Sequence, residues 1–343
     1  MQSTSSDLTR RHSSAPLITA LSLFSALLLT SCSSAGIPRL PIATATNAPT
    51  YLPIQTYVAE SDGGSFVVHP SVVDFGTTGW QAHRYWMAIS TYPPNDNSRE
   101  APSIYYSDDG SAWTMPAGIT NPIEVPDAHW ISSDPELFLG PAGQLFCLWR
   151  DYNDDYGATK IDSERLYYKV SSDGLHWSDR TLFLSASGSS WHVFSPSAVY
   201  RDKQFNIWTT NGDNILQLRV GKSLTDLSDP TECTLNHSFA AYHNSVRYFG
   251  NRFVAVIQNR GVSELRFAES WDGIHWAIGA SPLLGLGPSG HWDDLWMYRA
   301  DFAPNGSGGF DLWYSARSSA YPTAFRFGRT TITLNPPLNI PPR

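Results

Sequence analysis

Ser171-Ser172-Asp173-Gly174-Leu175-His176-Trp177 has two close copies in the chain, Ser107-Asp108-Asp109-Gly110-Ser111-Ala112-Trp113 and Ser270-Trp271-Asp272-Gly273-Ile274-His275-Trp276. The shared pattern is S-x-D-G-x-x-W. Each copy follows an apolar, aromatic run: Leu166-Tyr167-Tyr168, Ile104-Tyr105-Tyr106 and Leu265-Arg266-Phe267. Asp-Gly after a strand-like run signals a tight turn, because Gly accepts positive φ and the Asp side chain bonds the turn backbone. The Ser and Trp at fixed offsets can tie and cover that turn. A hairpin that recurs in this way predicts a repeat architecture.

Upstream of each turn a second pattern recurs. A short apolar strand opens on a polar residue or a Pro, an aromatic-rich strand follows, and then a polar loop. These units begin at His69-Pro70-Ser71, Ser133-Asp134-Pro135, Ser195-Pro196-Ser197, His243-Asn244-Ser245 and near Trp296-Met297-Tyr298-Arg299. The third unit ends in a degenerate turn, Ser223-Leu224-Thr225-Asp226-Leu227, and the fifth ends at Phe325-Arg326-Phe327-Gly328. Starts about 50 to 60 residues apart suit four-stranded propeller blades with long insertions. No stretch carries helical periodicity. The expectation is an all-β, five-bladed β-propeller with four-stranded antiparallel blades over residues 56–335, in which a strand near Tyr57-Val58 completes blade five.

The flanks read differently. Arg10-Arg11 and the apolar run from Leu17 to Leu29 give residues 1–31 the layout of a secretory leader. The run ends in Leu29-Thr30-Ser31-Cys32, which resembles the bacterial lipobox. That resemblance implies lipidation at Cys32, and a protein exported to the cell envelope and held on a membrane by lipid without spanning it. Residues 32–55 read as an extended tether and 336–343, with four prolines, as a tail. The formal net charge is −8 and no basic cluster exists, so nucleic acid is not an expected partner. Cys147 lies in an apolar strand run and reads as a buried free thiol, although export permits a disulfide with Cys233. A monomer is expected.

Five-bladed propellers with such turns resemble glycoside hydrolases of the family 43 and family 32 type, and the turns are similar to the Asp-boxes of sialidases, which have six blades. The resemblance covers most of the chain between tether and tail, and it implies a carbohydrate-active protein.

In a propeller, the loops before each first strand and between the second and third strands open on one mouth. The S-x-D-G-x-x-W turns open on the other, so their Asp residues are read as structural. The ligand mouth then gathers His69, Trp130, Asp134, His192, His243, Tyr298 and Arg299 from the first loop type. Glu100, Arg150, Asp151 and Arg317 come from the second. Trp faces pack on sugar rings, while Arg and carboxylates hydrogen-bond hydroxyls. His69, Trp130, Arg150, Asp151, His192, His243 and Arg299 are therefore the expected glycan contacts.

Glycoside cleavage needs two carboxyl groups across the scissile bond. Glu100 and Asp134 are the candidate catalytic pair, with Arg150 to orient or ionise one of them. Asp134-Pro135 resembles the Asp-Pro motif of family 43. However, His69-Pro70-Ser71 stands where that family has a blade-one Asp, and Trp191-His192-Val193-Phe194-Ser195 carries no acidic residue. The family's catalytic roles are therefore not carried over. No H-x-x-H or H-E-x-x-H spacing exists, so His69, His129, His192 and His243 are read as hydrogen-bonding groups; no metal ligand and no cofactor is assigned, and an ion in the channel stays open. Two readings stay open: a lipid-anchored glycoside hydrolase and a non-catalytic glycan-binding or surface-interaction propeller.

Overall fold

The computed structural model describes residues 40–54, 66–93, 96, 99–153, 164–186, 192–236 and 238–337. Two short strands lead in, β1 (Ile42–Ala45) and β2 (Thr50–Tyr51). Blade one is β3 (Val67–Asp74), β4 (Tyr85–Thr91) and β5 (Ala101–Ser107). Blade two is β6 (Trp130–Leu139), β7 (Leu145–Asn153), β8 (Glu164–Ser171) and β9 (Thr181–Ala186). Blade three is β10 (Phe194–Arg201), β11 (Gln204–Thr210), β12 (Leu216–Gly221) and β13 (Thr231–Glu232). Blade four joins β14 (Thr234–Leu235), β15 (Ala241–Phe249), β16 (Arg252–Asn259), β17 (Glu264–Ser270), β18 (His275–Ile278) and β19 (Leu284–Gly285). Blade five is β20 (Trp296–Pro304), β21 (Phe310–Ser318) and β22 (Tyr321–Asn335), with β1 and β2 added to β22. The first long strands β3, β6, β10, β15 and β20 each touch the next around the axis, so the chain is a five-bladed propeller.

Two expectations need correction. Blades are not uniformly four-stranded. In blade one the chain after the turn makes a single bridge, Tyr106 to Thr114, and then meets Pro116 and Pro122, which have no N–H for a ladder. The Asn121 side chain takes the missing strand's place by bonding both the N–H and the C=O of Ile104, at 3.0 and 2.9 Å. The strand seen at the edge of blade five is β1, which pairs with β22; Tyr57-Val58 lie outside the described residues. Ile42 pairs with Asn335 and Ala45 with Ile332, so part of the expected tether belongs to the sheet.

The repeated turns are built as their sequence implies. In the third copy, Asp272 Oδ1 accepts the N–H groups of Ile274 and His275 at 2.9 and 2.8 Å, and Ser270 Oγ accepts that of Gly273 at 2.8 Å. Each turn also joins two blades. Trp208 of β11 donates its indole N–H to Gly273 O at 2.9 Å, and Trp313 of β21 donates to Gly110 O at 2.7 Å. A Cβ on Gly273 would meet Trp208 at 2.8 Å, and its φ is +79°, so glycine is required for the approach as well as for the turn. Blade three has no such glycine, and Leu224 of its degenerate turn joins Phe138, Phe146 and Phe205 in an apolar cluster instead. Cys147 and Cys233 are both buried free thiols.

Every first strand is bulged near its start. The register slips between Val68 and Ser71, Ser133 and Glu136, Phe194 and Ser197, Ala241 and Asn244, and Met297 and Ala300. In the first three blades the bulge holds a non-glycine residue at positive φ directly before a Pro: His69 at 61°, Asp134 at 56° and Ser195 at 51°. Such backbone is costly for L residues and clusters at functional sites. Bulges re-aim side chains, and here they bring residues from separate blades to one end of the axis.

Candidate active site

His69 Nδ1 lies 3.1 Å from Asp134 Oδ1, and His243 Nδ1 lies 3.4 Å from the same oxygen. The two imidazole rings are 4.7 Å apart. Glu100, just ahead of β5, brings Oε2 to 3.9 Å from His69 Nε2. All four residues are buried. A cavity of about 410 Å3 borders His69 and Glu100, and its lining also includes Ser133, Arg150, Tyr242, Trp296, Tyr298 and Arg317; Asp134 and His243 lie behind His69 and do not line it.

Strand register explains the convergence. Val67 at the start of β3 pairs with Thr91 at the end of β4, and Thr91 pairs with Ala101 at the start of β5. His69 and Glu100 therefore share one end of blade one, while Ser107 and its turn occupy the other.

Arg150 anchors the second blade's contribution. Its Nε donates to Asp134 Oδ2 at 2.9 Å and its Nη1 to Glu164 Oε1 at 2.6 Å. Glu164 Oε2 then accepts the backbone N–H of His192 at 2.6 Å. Arg299 is fully buried beneath the cluster, donating from Nη2 to Glu136 Oε2 and to Pro196 O, both at 2.9 Å. Below it Arg247 pairs with Glu136 and Asp301, and Ser71 and Ser197 donate to Glu136. This buried lattice fills the axis under the site.

The structure thus brings Glu100, Asp134, His69, Arg150 and His243 together, with Arg299 behind them. Trp130, Asp151 and His192 are not among the residues lining the cavity. Trp130 lies under the Arg165 guanidinium at 4.2 Å. Asp151 falls inside β7, where Oδ1 accepts from Ser132 Oγ at 2.7 Å and from Trp149 Nε1 at 2.9 Å. Cys32 and Trp191 lie outside the described residues. Glu164 had no place in the expected site. A signal for it exists: Glu100, Glu164 and Glu264 each stand at the start of a blade's third strand.

Burial sets the charges. Desolvation pushes the His69 imidazole down to about 3 and His243 well below its usual value, so both rings are neutral near pH 7. Desolvation, reinforced by the Asp134 charge, pushes the Glu100 carboxyl up to about 8 against a hydrogen bond from Ser133. Burial also opposes the ionised form of Asp134, but His69, Arg150 and Arg299 outweigh it and hold that carboxyl below the ordinary range. The Asp151 carboxyl is raised by burial to about 6.

His69 Nδ1, Asp134 Oδ1, His243 Nε2 and Glu100 Oε2 are all buried without a hydrogen-bond partner. Buried polar atoms are rarely left so. One ligand atom from each of His69, Asp134 and His243 lies within 4.8 Å of the others. His243 Nδ1 contacts Ser195 Oγ at 3.2 Å, an arrangement that leaves Nε2 as the free ligand atom. Two neutral imidazoles and a carboxylate are a donor set for a divalent cation such as zinc, and the arrangement fits one. The sequence favoured hydrogen bonding over an ion for these His residues, because the three candidate ligands come from blades one, two and four and share no local spacing.

No family model matches the chain. It is 27% identical over 361 residues to an A type blood N-acetyl-α-D-galactosamine deacetylase of Flavonifractor plautii, covering 87% of this chain and 46% of that protein. The chain therefore spans less than half of that curated relative. Among solved structures, it resembles an N-acetylgalactosamine deacetylase from F. plautii in complex with blood group B trisaccharide. The TM-score is 0.72 at 23% identity, over 85% of this chain and 95% of that one. It also resembles the family 43 glycoside hydrolase BlXynB of Bacillus licheniformis, with TM-score 0.61 at 15% identity over 88% and 57% of the two chains. A third likeness is to a family 117 glycoside hydrolase of Zobellia galactanivorans, with TM-score 0.55 at 14% identity over 84% and 90%. The proteins it resembles are carbohydrate-processing enzymes.

Proposed function

We propose that this chain is a hydrolase that removes the acetyl group from an N-acetylated sugar of a glycan. The observation that carries this reading is the set of four buried, unpartnered atoms on Glu100 and His69, which line the cavity, and on Asp134 and His243, which touch His69. The similarity to the F. plautii deacetylase supports it.

His69, Asp134 and His243 would hold a divalent cation, which supplies positive charge against the amide carbonyl oxygen and favours ionisation of water. Arg150 keeps Asp134 ionised and oriented, through Nε on Oδ2. Ser195 orients the His243 ring. Glu100 is the proton carrier. In its ionised form, the minor one near pH 7, it would take a proton from the attacking water and return it to the sugar nitrogen as the C–N bond breaks, giving acetate and a free amine. Trp296, 37% exposed and 5.4 Å from Tyr298, offers an aromatic wall for the sugar ring.

Glycoside cleavage by Glu100 and Asp134 is the second reading, favoured by the raised pKa of Glu100, which suits a general acid. Weighing against it, Asp134 is completely buried and Oδ2 is committed to Arg150. Lipidation at Cys32, with export to the cell envelope, belongs to the same proposal and rests on Leu29-Thr30-Ser31-Cys32.

The test is a panel of N-acetylated oligosaccharides assayed for acetate release, sugar release and binding. Acetate release lost in His69→Ala supports deacetylation. Sugar release without acetate supports the glycosidase, and binding alone supports a non-catalytic module.

A further inference from the structure

We propose that Arg317 makes the cavity selective for glycans that carry an anionic group, a carboxylate or a sulfate, beside the sugar being processed. This rests on the reading above only in that the same cavity is taken to receive a glycan.

Arg317 lies on β21 directly across from Trp296 on β20, and it lines the cavity with Glu100 and Tyr298. Its guanidinium packs on Phe325 at 4.0 Å and on Trp296 at 5.0 Å, so aromatic faces hold its plane. Its Nε is buried without a hydrogen-bond partner. Among the described residues no carboxylate ion-pairs with it. By contrast Arg150, Arg247, Arg252, Arg266 and Arg329 each have such a partner.

An arginine stays protonated, and its planar fork matches two oxygens of one carboxylate or sulfate. A half-buried guanidinium without a counter-ion carries a desolvation cost that a neutral ligand does not relieve. Burial acts on Arg317 in that sense, lowering its pKa against the opposing charges of Tyr92, Tyr298 and Glu100, none of which forms an ion pair with it. The half-exposed Trp296 ring beside it gives a sugar a stacking face, so an acidic sugar or a sulfated one meets both features together.

The experiment measures binding by tryptophan fluorescence, independently of turnover. Three disaccharides share an N-acetylhexosamine. The first carries a hexuronic acid, the second is the first with its carboxyl reduced to the alcohol, and the third is the reduced form bearing a sulfate on that neighbouring hexose. The wild type is expected to bind the uronate or the sulfate form about tenfold or more tighter than the reduced form, the scale of one charge-assisted hydrogen bond. Which of the two it prefers identifies the anion. Arg317→Gln should erase the preference, so that it binds the three disaccharides equally. Arg317→Lys, which keeps the charge, should retain part of it and guards against a folding defect. Equal binding of all three by the wild type, binding of none, or a preference that survives in Arg317→Gln overturns the inference. So does a loss of kcat equal on neutral and acidic substrates with affinities unchanged, since Arg317 would then serve the reaction. Anion-selective binding with no acetate released from any substrate would sink the deacetylase reading and leave this one standing.

Discussion

His69 Nδ1 and Asp134 Oδ1 face each other at 3.1 Å, yet no hydrogen bond joins them. Both stand on bulged backbone with positive φ, at 61° and 56°, in neighbouring blades. Two strained positions that bring acceptor-capable atoms together without satisfying either fit a third party between them better than they fit a structural contact.

That relationship predicts metal dependence. Removing bound metal with a chelator should abolish turnover. Restoring a divalent cation at 100 times its Kd should stabilise the protein by about 2.7 kcal/mol, raising Tm by roughly 5–10 °C. His243→Ala and Asp134→Asn should each remove the Tm response in a thermal melt, with metal content by elemental analysis falling in parallel. A Tm indifferent to every divalent cation would rule the site out.

Glu100→Gln should lower turnover by about 10²- to 10⁴-fold, the usual value of a positioned acid or base. The fold and the affinity for an oligosaccharide should survive, because Glu100 makes no ion pair shorter than its 3.9 Å approach to His69. Steady-state kinetics would show the loss in kcat with KM little changed.

The turns should matter to stability alone. Asp272→Ala removes two backbone hydrogen bonds at the mouth remote from the site. A loss of about 1 kcal/mol is expected, or about 2–4 °C in Tm for a domain of this size, with kcat/KM unchanged. Burial disfavours the charge on Asp272, but the N–H groups of His275 and Ile274 with the His275 and Ser270 side chains outweigh it and hold the carboxyl down to about 2. A depressed pKa gives a contribution fully present above the unfolded carboxylate value near 4. It fades as pH falls through about 2, and calorimetry of wild type and variant across that window should see the two curves converge.

Cys32→Ser should move the protein from the membrane fraction to the soluble fraction of the envelope. Unchanged membrane association after fractionation would remove the lipid anchor from the account.

What the sequence made legible was local. Ser270, Asp272 and Gly273 bond within four residues, so their spacing could be read directly. The Pro after His69, Asp134 and Ser195 marked the first strands for the same reason. The donor set was hidden because His69, Asp134 and His243 meet only after three blades have packed. Asp151 looked like a loop residue, but β7 runs on to Asn153 and encloses it. β1 escaped notice because Ile42-Ala43-Thr44-Ala45 has a linker's composition, and only pairing with β22 makes it a strand.

That pairing has a consequence for how the molecule comes together. Thr46 Oγ1 bonds Thr331 O across 285 positions, whereas the ladders within blades one to four, β14 with β18 and β17 with β19 apart, join consecutive strands. Assembly is therefore sequential almost everywhere and global at one seam. Loop-closure entropy grows only with the logarithm of length, so the seam costs little at equilibrium. It governs timing: blade five acquires its outer edge only after β22 exists, so the ring is sealed last. Once sealed, a break in any loop between blades leaves the two fragments held together by the seam, as a cut in a clasped belt leaves one strap.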